Sequence, residues 1–187
     1  MNRLGLLQGR GGYGLLPEGF EDAERAAEAL TGKKLDVLYS SDQQRAVQTA
    51  RVIRSRLGLD RIRFSSGLRE MDYGAMQGRP DAEVRRLCPL WRSDARFVFP
   101  GGESFQLVQR RAFGWLERTM RRHPRGTLAV VTHGGWLRTL FAGLKGVPLS
   151  RCLNGTVAHG LVGQLDISGD RGLHLRLEPG VTIFPKR

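Results

Sequence analysis

An arginine, a glutamate and a histidine stand where strands of this sequence are predicted to end. Arg45 follows the run Ser40-Ser41-Asp42-Gln43-Gln44 and falls in the first turn of a predicted helix. Free backbone N–H groups and the helix dipole favour an anion there, and a guanidinium binds two phosphate oxygens at once. His133 lies between a buried strand and a Gly-Gly turn, a place where reactive groups are often displayed, and Glu70 follows Leu68-Arg69. Together the three residues outline a phosphate site.

Short apolar strands alternate with amphipathic helices and would position these residues. Strands are predicted at Leu35–Tyr39, Ile62–Phe64 and Thr127–Thr132. The run Ser41-Asp42-Gln43-Gln44 predicts a capping box for the helix that carries the arginine. Ligands of such sheets bind beyond the carboxyl ends of the strands. The arginine, the glutamate and the histidine are therefore expected at the same edge of the sheet.

Apolar residues at helical spacing predict the remaining helices. The first opens at Pro17 and stops near Gly32, and a long helix is capped by Ser104 and ended by Pro124. Asp81 to Leu87 forms a short helix within the long irregular region 65–102. The long helix has an inward stripe of Phe105, Val108, Ala112, Trp115 and Thr119.

The end of the chain is predicted to form an antiparallel hairpin. Thr156–Ile167 and Leu173–Leu177 alternate apolar and polar residues around a Ser168-Gly169-Asp170 turn. The order of elements predicts an α/β protein, a three-layer α/β/α sandwich with a mostly parallel sheet and an antiparallel edge. Residues 1–187 are predicted to form a single domain.

Composition narrows the class of protein. A net charge of +12 favours a solvated basic surface over a nucleic-acid footprint, because no aromatic ladder is interleaved with the scattered arginines. The sequence shows no apolar run long enough to cross a membrane and no leader, so no membrane partner and a cytoplasmic location are expected. Cys88 and Cys152 lack metal-ligand spacing, which predicts no metal site and fits a reducing compartment. No feature specifies an oligomeric state.

Two other enzyme classes are weakly supported. Gly9-Arg10-Gly11-Gly12-Tyr13-Gly14 is glycine-rich but lacks the Gly-Lys-Ser/Thr of a nucleotide-binding loop. His133-Gly134-Gly135 is a possible oxyanion turn, but the sequence contains no Gly-x-Ser-x-Gly nucleophile elbow.

Four ordered blocks of the chain resemble the histidine phosphatase (phosphoglycerate mutase-like) superfamily. The blocks are Leu38 to Ala50, Leu68-Arg69-Glu70, Pro100 to Ser104, and Val130 to Gly135. The resemblance implies that a histidine in an Arg-His-Gly motif attacks the phosphoryl group. Two arginines and a second histidine hold the phosphoryl oxygens, and a carboxylic acid protonates the leaving oxygen. No metal and no cofactor are implied.

By block matching, Arg45 is the second arginine, His133 the second histidine and Glu70 the candidate acid. A glutamate that donates a proton near neutral pH needs a pKa above the usual value of about 4.3. Asn2 and Gln8-Gly9-Arg10 match the stretch that follows the Arg-His-Gly motif, so Asn2, Gln8, Gly9 and Gly134 are expected to bind phosphate or substrate.

The Arg-His-Gly motif itself is expected upstream of Met1. His123, His159 and His174 are each interpreted as structural or solvated, at a helix end, in a strand and on the outside of the hairpin. We therefore hypothesise that the first strand and its turn, roughly a dozen residues, are missing and that the domain is N-terminally incomplete. The chain as given is expected to be a poor enzyme.

The resemblance favours a phosphatase over a mutase, because the region between Glu70 and Gly101 is short. The expected substrate is a small phosphorylated metabolite, such as a sugar phosphate or α-ribazole phosphate. The run Gly74-Ala75-Met76-Gln77-Gly78 departs from the superfamily pattern, in which many members carry an aromatic-acidic pair before the last glycine. The departure concerns the substrate-facing loop. The alternatives are a catalytically dead phosphate-binding or scaffold protein, a phosphoglycerate mutase-type phosphotransferase, and a nucleic-acid binder.

Overall fold

The computed structural model of the chain describes residues 5–155, 157–168 and 172–177. Its centre is a three-stranded sheet in the order β2-β1-β3. The strands are β1 (Val37–Ser40), β2 (Ile62–Phe64) and β3 (Leu128–Val131). Both pairings are parallel, with Leu38 opposite Ile62 on one side and opposite Ala129 on the other. The carboxyl ends of all three strands therefore lie at one edge of the sheet.

Helices cover both faces of this sheet, as predicted for a three-layer sandwich. The helices are α1 (Pro17–Ala29), α2 (Gln44–Arg56), α3 (Asp81–Leu87), α4 (Phe105–Arg122), α5 (Gly134–Leu144) and a single turn α6 (Leu149–Cys152). Leu38 packs with Ala27 of α1 and with Ile53 of α2. Its neighbour Tyr39 packs in a second cluster with Trp115. Successive residues of a strand point to opposite faces, so β1 separates the two apolar layers.

The boundaries of the long helix follow from its sequence. The hydroxyl oxygen of Ser104 accepts the N–H of Leu107 at 3.2 Å, which caps the first turn of α4. All five residues of the predicted stripe are buried. The predicted short helix over Asp81 to Leu87 is also confirmed. Both results rest on local signals, a polar cap and an apolar face.

The capping box predicted for α2 is wrong. The helix begins at Gln44, its N-cap is Gln43, and no side chain caps it. The Ser41 hydroxyl instead accepts the N–H of Gln43 at 3.3 Å, outside the helix. Ser41 is fully buried, so its hydroxyl belongs to the loop that joins β1 to α2.

The antiparallel part of the fold consists of β4 (Gly163–Ser168) and β5 (Gly172–Leu177). They pair as a two-stranded sheet of their own. The first of these strands begins at Gly163 rather than at Thr156, so the predicted strand was too long. His159 accordingly lies in a turn before β4, not in a strand. Thr156, Gly169 and Asp170 are outside the described residues.

Candidate functional site

The three residues singled out from the sequence line one cleft of about 1060 Å³ at the carboxyl edge of the sheet. Arg45 is the second residue of α2, which follows β1. Glu70 follows β2 after a 3-10 turn at Ser66–Leu68. His133 is the N-cap of α5, directly after β3. The parallel sheet therefore brings together residues that lie far apart in the sequence.

His133 presents a buried and neutral imidazole to this cleft. Its exposed fraction is 6 %, and within the described ranges no group hydrogen bonds to its Nε2 atom. Burial, followed by the positive charges of Arg45 and Arg111, lowers the pKa of His133 well below the ordinary value of 6.5. A neutral ring with an unpaired nitrogen can donate an N–H to an anion or take up a proton when an anion arrives.

Arg45 is held by the loop that precedes α1. Its two terminal nitrogens donate to the carbonyl oxygens of Gly9 at 2.8 Å and of Gly11 at 3.3 Å. Burial lowers the pKa of Arg45, and the nearby carboxylate of Glu70 opposes that change. An arginine remains a cation at neutral pH, so the cleft contains a fixed positive charge.

Glu70 lies against the first turn of α5. Its Oε2 atom accepts the N–H of Gly135 at 3.1 Å, and its Oε1 atom accepts the N–H of Met71 at 2.9 Å. A Cβ atom at position 135 would come within 2.4 Å of Oε1, so any side chain there would force the Glu70 carboxylate to shift. The Glu70 carboxylate thus accepts two backbone N–H groups, one of which lies two residues after His133.

A network of two arginines and two acids fixes the segment around Glu70. Arg111 donates to the carbonyl oxygens of Gly67, Arg69 and Glu70 at 2.7 to 3.3 Å. Its guanidinium also pairs with Glu103 at 3.0 Å. Arg10 completes the network, because it pairs with Glu103 at 2.9 Å and with Asp72 at 3.1 Å. The acid is therefore attached to a segment with little freedom to move.

Comparison with known proteins identifies the family. The family model described as histidine phosphatase superfamily (branch 1) matches residues 1–178. The chain belongs to the histidine phosphatase superfamily. It is 30 % identical over 175 residues to "Putative phosphoserine phosphatase 2" of Hydrogenobacter thermophilus, covering 91 % of this chain and 85 % of that protein.

Two further members of the histidine phosphatase superfamily extend this finding. A 2,3-bisphosphoglycerate-dependent phosphoglycerate mutase of Parvibaculum lavamentivorans is 30 % identical over 181 residues, covering 90 % of this chain and 86 % of the mutase. The solved structure of Bacillus stearothermophilus YhfR superimposes with a TM-score of 0.85 at 29 % identity, covering 95 % of this chain and 90 % of that one. Similar proteins thus include both phosphatases and mutases.

Several residues expected to bind phosphate in a histidine phosphatase line the same cleft. Gln8, Gly9 and Gly134 are among its lining residues. Gly9 has a φ of +52°, which favours glycine, and its carbonyl oxygen holds Arg45. Asn2 lies outside the described residues. The binding of phosphate by these residues stays a prediction.

Of the other histidines, His123 stands apart from this constellation, His159 lines the cleft, and the side chain of His174 is outside the described residues. His123 ends α4, as predicted, and its Nε2 atom lies 3.0 Å from the Tyr39 hydroxyl. His174 is in β5, and its predicted outward orientation lies outside the described side chains. In the described part of the chain, no group of three or more His, Cys, Asp or Glu side chains could hold a metal ion.

Sequence reasoning missed three polar residues of the site. Gln43 is 7 % exposed and contacts both Gly9 and Glu70. Arg10 and Arg111 hold the backbone of the acid-bearing segment. Burial and the charge of Glu70 also raise the pKa of Tyr73 to about 12, so this phenol stays neutral in the cleft. Gln43 stands in the polar run from Ser40 to Arg45, so the local pattern gives no signal of its burial.

Proposed function

We propose that this chain is a phosphomonoesterase that hydrolyses a small phosphorylated metabolite through a phosphohistidine intermediate. One observation carries the proposal: Arg45, Glu70 and His133 come from three separate strand ends and line the same cleft. A guanidinium and an imidazole donor suit the oxygens of a phosphoryl group, and a carboxyl group suits proton transfer to the leaving oxygen. Phosphoryl transfer to a nucleophile depends mainly on positioning and charge neutralisation of this kind.

The proposed reaction has two steps. A histidine nitrogen attacks phosphorus, the P–O bond to the leaving group breaks, and the protonated Glu70 carboxyl group gives its proton to the departing oxygen. Water then attacks the phosphohistidine while the Glu70 carboxylate accepts a proton, which releases phosphate and restores the imidazole. Arg45 and His133 hold the phosphoryl oxygens in both steps. No metal ion or cofactor takes part in this scheme.

The open edge of β3 offers a place for the nucleophile. Along the described ranges β3 pairs only with β1, and its other edge lines the cleft from Ala129 to Gly135. Val130 is 39 % exposed, although it is an apolar residue in the middle of a strand. The opposite wall is formed by residues 157–163, which lead into β4. We propose that an extended segment pairs with this edge and carries the nucleophilic histidine on the turn after it.

The size of the cleft supports this occupant. A strand of about six residues is about 20 Å long and would run along the whole of β3. Small-molecule pockets measure about 300–1,000 Å³, and the volume here, about 1060 Å³, is at the upper limit of this range. The sequence-based hypothesis places this segment, with its Arg-His-Gly motif, upstream of Met1.

The first experiment assays phosphate release from p-nitrophenyl phosphate by two proteins. One is the chain of 187 residues, and the other is extended upstream through an in-frame Arg-His-Gly motif. We expect the extended protein to be active and to incorporate acid-labile phosphate from the substrate. Coding DNA without this motif in frame would refute the upstream-start hypothesis. An inactive extended protein, together with phosphate binding by the shorter chain, would favour a catalytically dead scaffold. Equal activity of the two would place the nucleophile within the 187 residues.

The second experiment tests the role of Glu70. p-Nitrophenolate leaves without a proton far more readily than an alkoxide does, so the substitution Glu70→Gln should reduce hydrolysis of a sugar phosphate much more than hydrolysis of p-nitrophenyl phosphate. Asp72→Asn is a matched control, because Asp72 is a carboxylate two residues after Glu70 that pairs with Arg10. Equal losses on both substrates would remove Glu70 from the role of acid.

A phosphoglycerate mutase is the second candidate function, favoured by the similarity to the Parvibaculum lavamentivorans protein. A mutase transfers the phosphoryl group of its intermediate to a second hydroxyl group rather than to water. Supplying 2,3-bisphosphoglycerate with 3-phosphoglycerate distinguishes the two functions. A phosphatase releases phosphate, whereas a mutase forms 2-phosphoglycerate.

We also propose that the protein works in the cytoplasm on free metabolites rather than on nucleic acid. Both cysteines, Cys88 and Cys152, are buried free thiols, a state that suits a reducing compartment. No helix among the described residues combines the length and the apolar character needed to span a membrane. Retention on DNA that falls steeply with salt concentration would contradict the preference for small substrates.

A further inference from the structure

Gln43 is a buried amide that joins two separate loops of the cleft. It precedes α2, and only 7 % of it is exposed. Its Nε2 atom donates to the carbonyl oxygen of Gly9 at 3.1 Å, and its Oε1 atom accepts the N–H of Glu70 at 2.6 Å. The two partners lie 34 and 27 residues away in the sequence. One side chain therefore connects the loop before α1 to the segment after β2.

Burial of the Gln43 amide has a cost in stability that its hydrogen bonds must offset. A buried amide must have both its donor and its acceptor satisfied, or it destabilises the fold. Gln43 occupies the N-cap position of α2 without capping the helix. Its amide instead bonds to two backbone groups of the candidate site, the carbonyl of Gly9 and the N–H of Glu70.

Both ends of this bridge meet other groups of the site. The Gly9 carbonyl that accepts from Gln43 also accepts from Arg45 at 2.8 Å. The carbonyl of Glu70 accepts from Arg10 and Arg111, each at 3.3 Å. A shift of either loop would therefore move the guanidinium of Arg45 or the carboxyl group of Glu70.

We propose that Gln43 is a positioning residue that couples the loop holding Arg45 to the segment carrying Glu70, so that the Arg45 guanidinium and the Glu70 carboxyl group keep one fixed arrangement. This inference rests on the proposed function for its role in catalysis. Gln43 acts through Gly9 and the backbone of Glu70 and need not touch the substrate.

The test compares the substitutions Gln43→Met and Gln44→Leu. Methionine retains the length of glutamine and removes both hydrogen bonds, whereas Gln44 is exposed and serves as the matched control. Binding of inorganic phosphate is measured by calorimetry for each folded protein. We expect Gln43→Met to weaken binding about fivefold to tenfold, and Gln44→Leu to leave it unchanged. Affinity equal to wild type in a folded Gln43→Met protein would overturn the proposal.

Amide hydrogen exchange supplies a readout that does not depend on phosphate. In Gln43→Met the N–H of Glu70 loses its acceptor and should exchange about fivefold faster or more. The N–H of Gly11, which donates to the Gln8 carbonyl at 3.0 Å, should also exchange faster, although Gln43 does not contact it. Faster exchange confined to Glu70 would overturn the coupling of the two loops.

Two further outcomes remain decisive. If Gln43→Met fails to fold, Gln43→Glu replaces it, because a carboxylate retains the acceptor for Glu70 and loses the donor to Gly9. We then expect protection at Glu70 to persist and protection at Gly11 to fall, and unchanged protection at both would overturn the proposal. A wild-type chain that binds no phosphate would count against Arg45 and His133 as a phosphate site in this chain, and the exchange rates would still decide the role of Gln43.

Discussion

Replacing His133 by asparagine should remove a defined part of the pH dependence of folding. The imidazole is 6 % exposed, and burial with two nearby guanidinium groups lowers its pKa well below 6.5. In the unfolded chain the same ring titrates near the usual value of about 6.5. The unfolded chain therefore binds the proton first as the pH falls. Asparagine does not titrate and is well tolerated at a helix N-cap, the position that His133 occupies.

The size of the effect follows from linkage. Between about pH 7.5 and about pH 5.5 the unfolded state gains nearly one proton at this site and the folded state gains almost none. One proton corresponds to about 1.4 kcal/mol per pH unit, and integration over the interval gives a loss of about 1.4 kcal/mol in the free energy of unfolding. The contribution of His133 is fully present above the unfolded-state pKa. It is lost as the pH falls below that value, until the folded-state pKa is reached.

Urea denaturation followed by tryptophan fluorescence measures this loss in a buffer without phosphate or sulfate. The wild-type curve contains the titrations of all other groups, so the quantity of interest is the difference between wild type and His133→Asn at each pH. We expect this difference to change by about 1.4 kcal/mol across the interval, with the wild type losing more. Parallel losses in the two proteins would mean that His133 takes up its proton equally well in the folded and the unfolded state, contrary to the burial of its ring.

Three other measurements test the same site. Sulfate, which does not titrate in this range, should bind more tightly to the wild type as the pH falls, by up to about tenfold per pH unit, and calorimetry should show no such trend for His133→Asn. Gly135→Ala should lower the free energy of unfolding by about 1–3 kcal/mol relative to Gly134→Ala in urea titrations, because a Cβ at 135 meets the acid carboxylate and one at 134 does not. Arg111→Met should cost about 3 kcal/mol, since it removes the donor from three part-buried carbonyl groups and from Glu103, whereas Arg110→Met on the exposed face of the same helix should stay within about 0.5 kcal/mol by the same assay.

The parts of the fold that depend on local signals could be predicted from the sequence. Ser104 caps α4 because its hydroxyl reaches a backbone N–H three residues ahead, and the apolar stripe behind it can only face a core. Arg45 and His133 could be located because the residues after parallel strands share one edge of the sheet. The inference about the helix cap needs only residues within one helical turn. The inference about the site needs only the geometry of one parallel sheet.

The remaining features depend on contacts between distant segments. Ser41 and Gln44 match a capping box, but the loop before Gln44 is shaped by the bridge from Gln43 to Gly9 and Glu70. Nothing in the local pattern of α4 indicates that Arg111 binds three carbonyl groups that lie more than 40 residues away. Polar contacts of this kind have no period along the chain, so sequence spacing does not reveal them.

The pairing of β1 with β3 also constrains how the chain can fold during synthesis. The backbone of Thr127 donates to the side chain of Asp36 across a sequence separation of 91 residues, where the two strands enter the sheet. A ribosome adds about 5–20 residues per second, so β1 waits several seconds for its partner to leave the exit tunnel. Until then the apolar faces of β1 and α2 are open to chaperones and to neighbouring nascent chains.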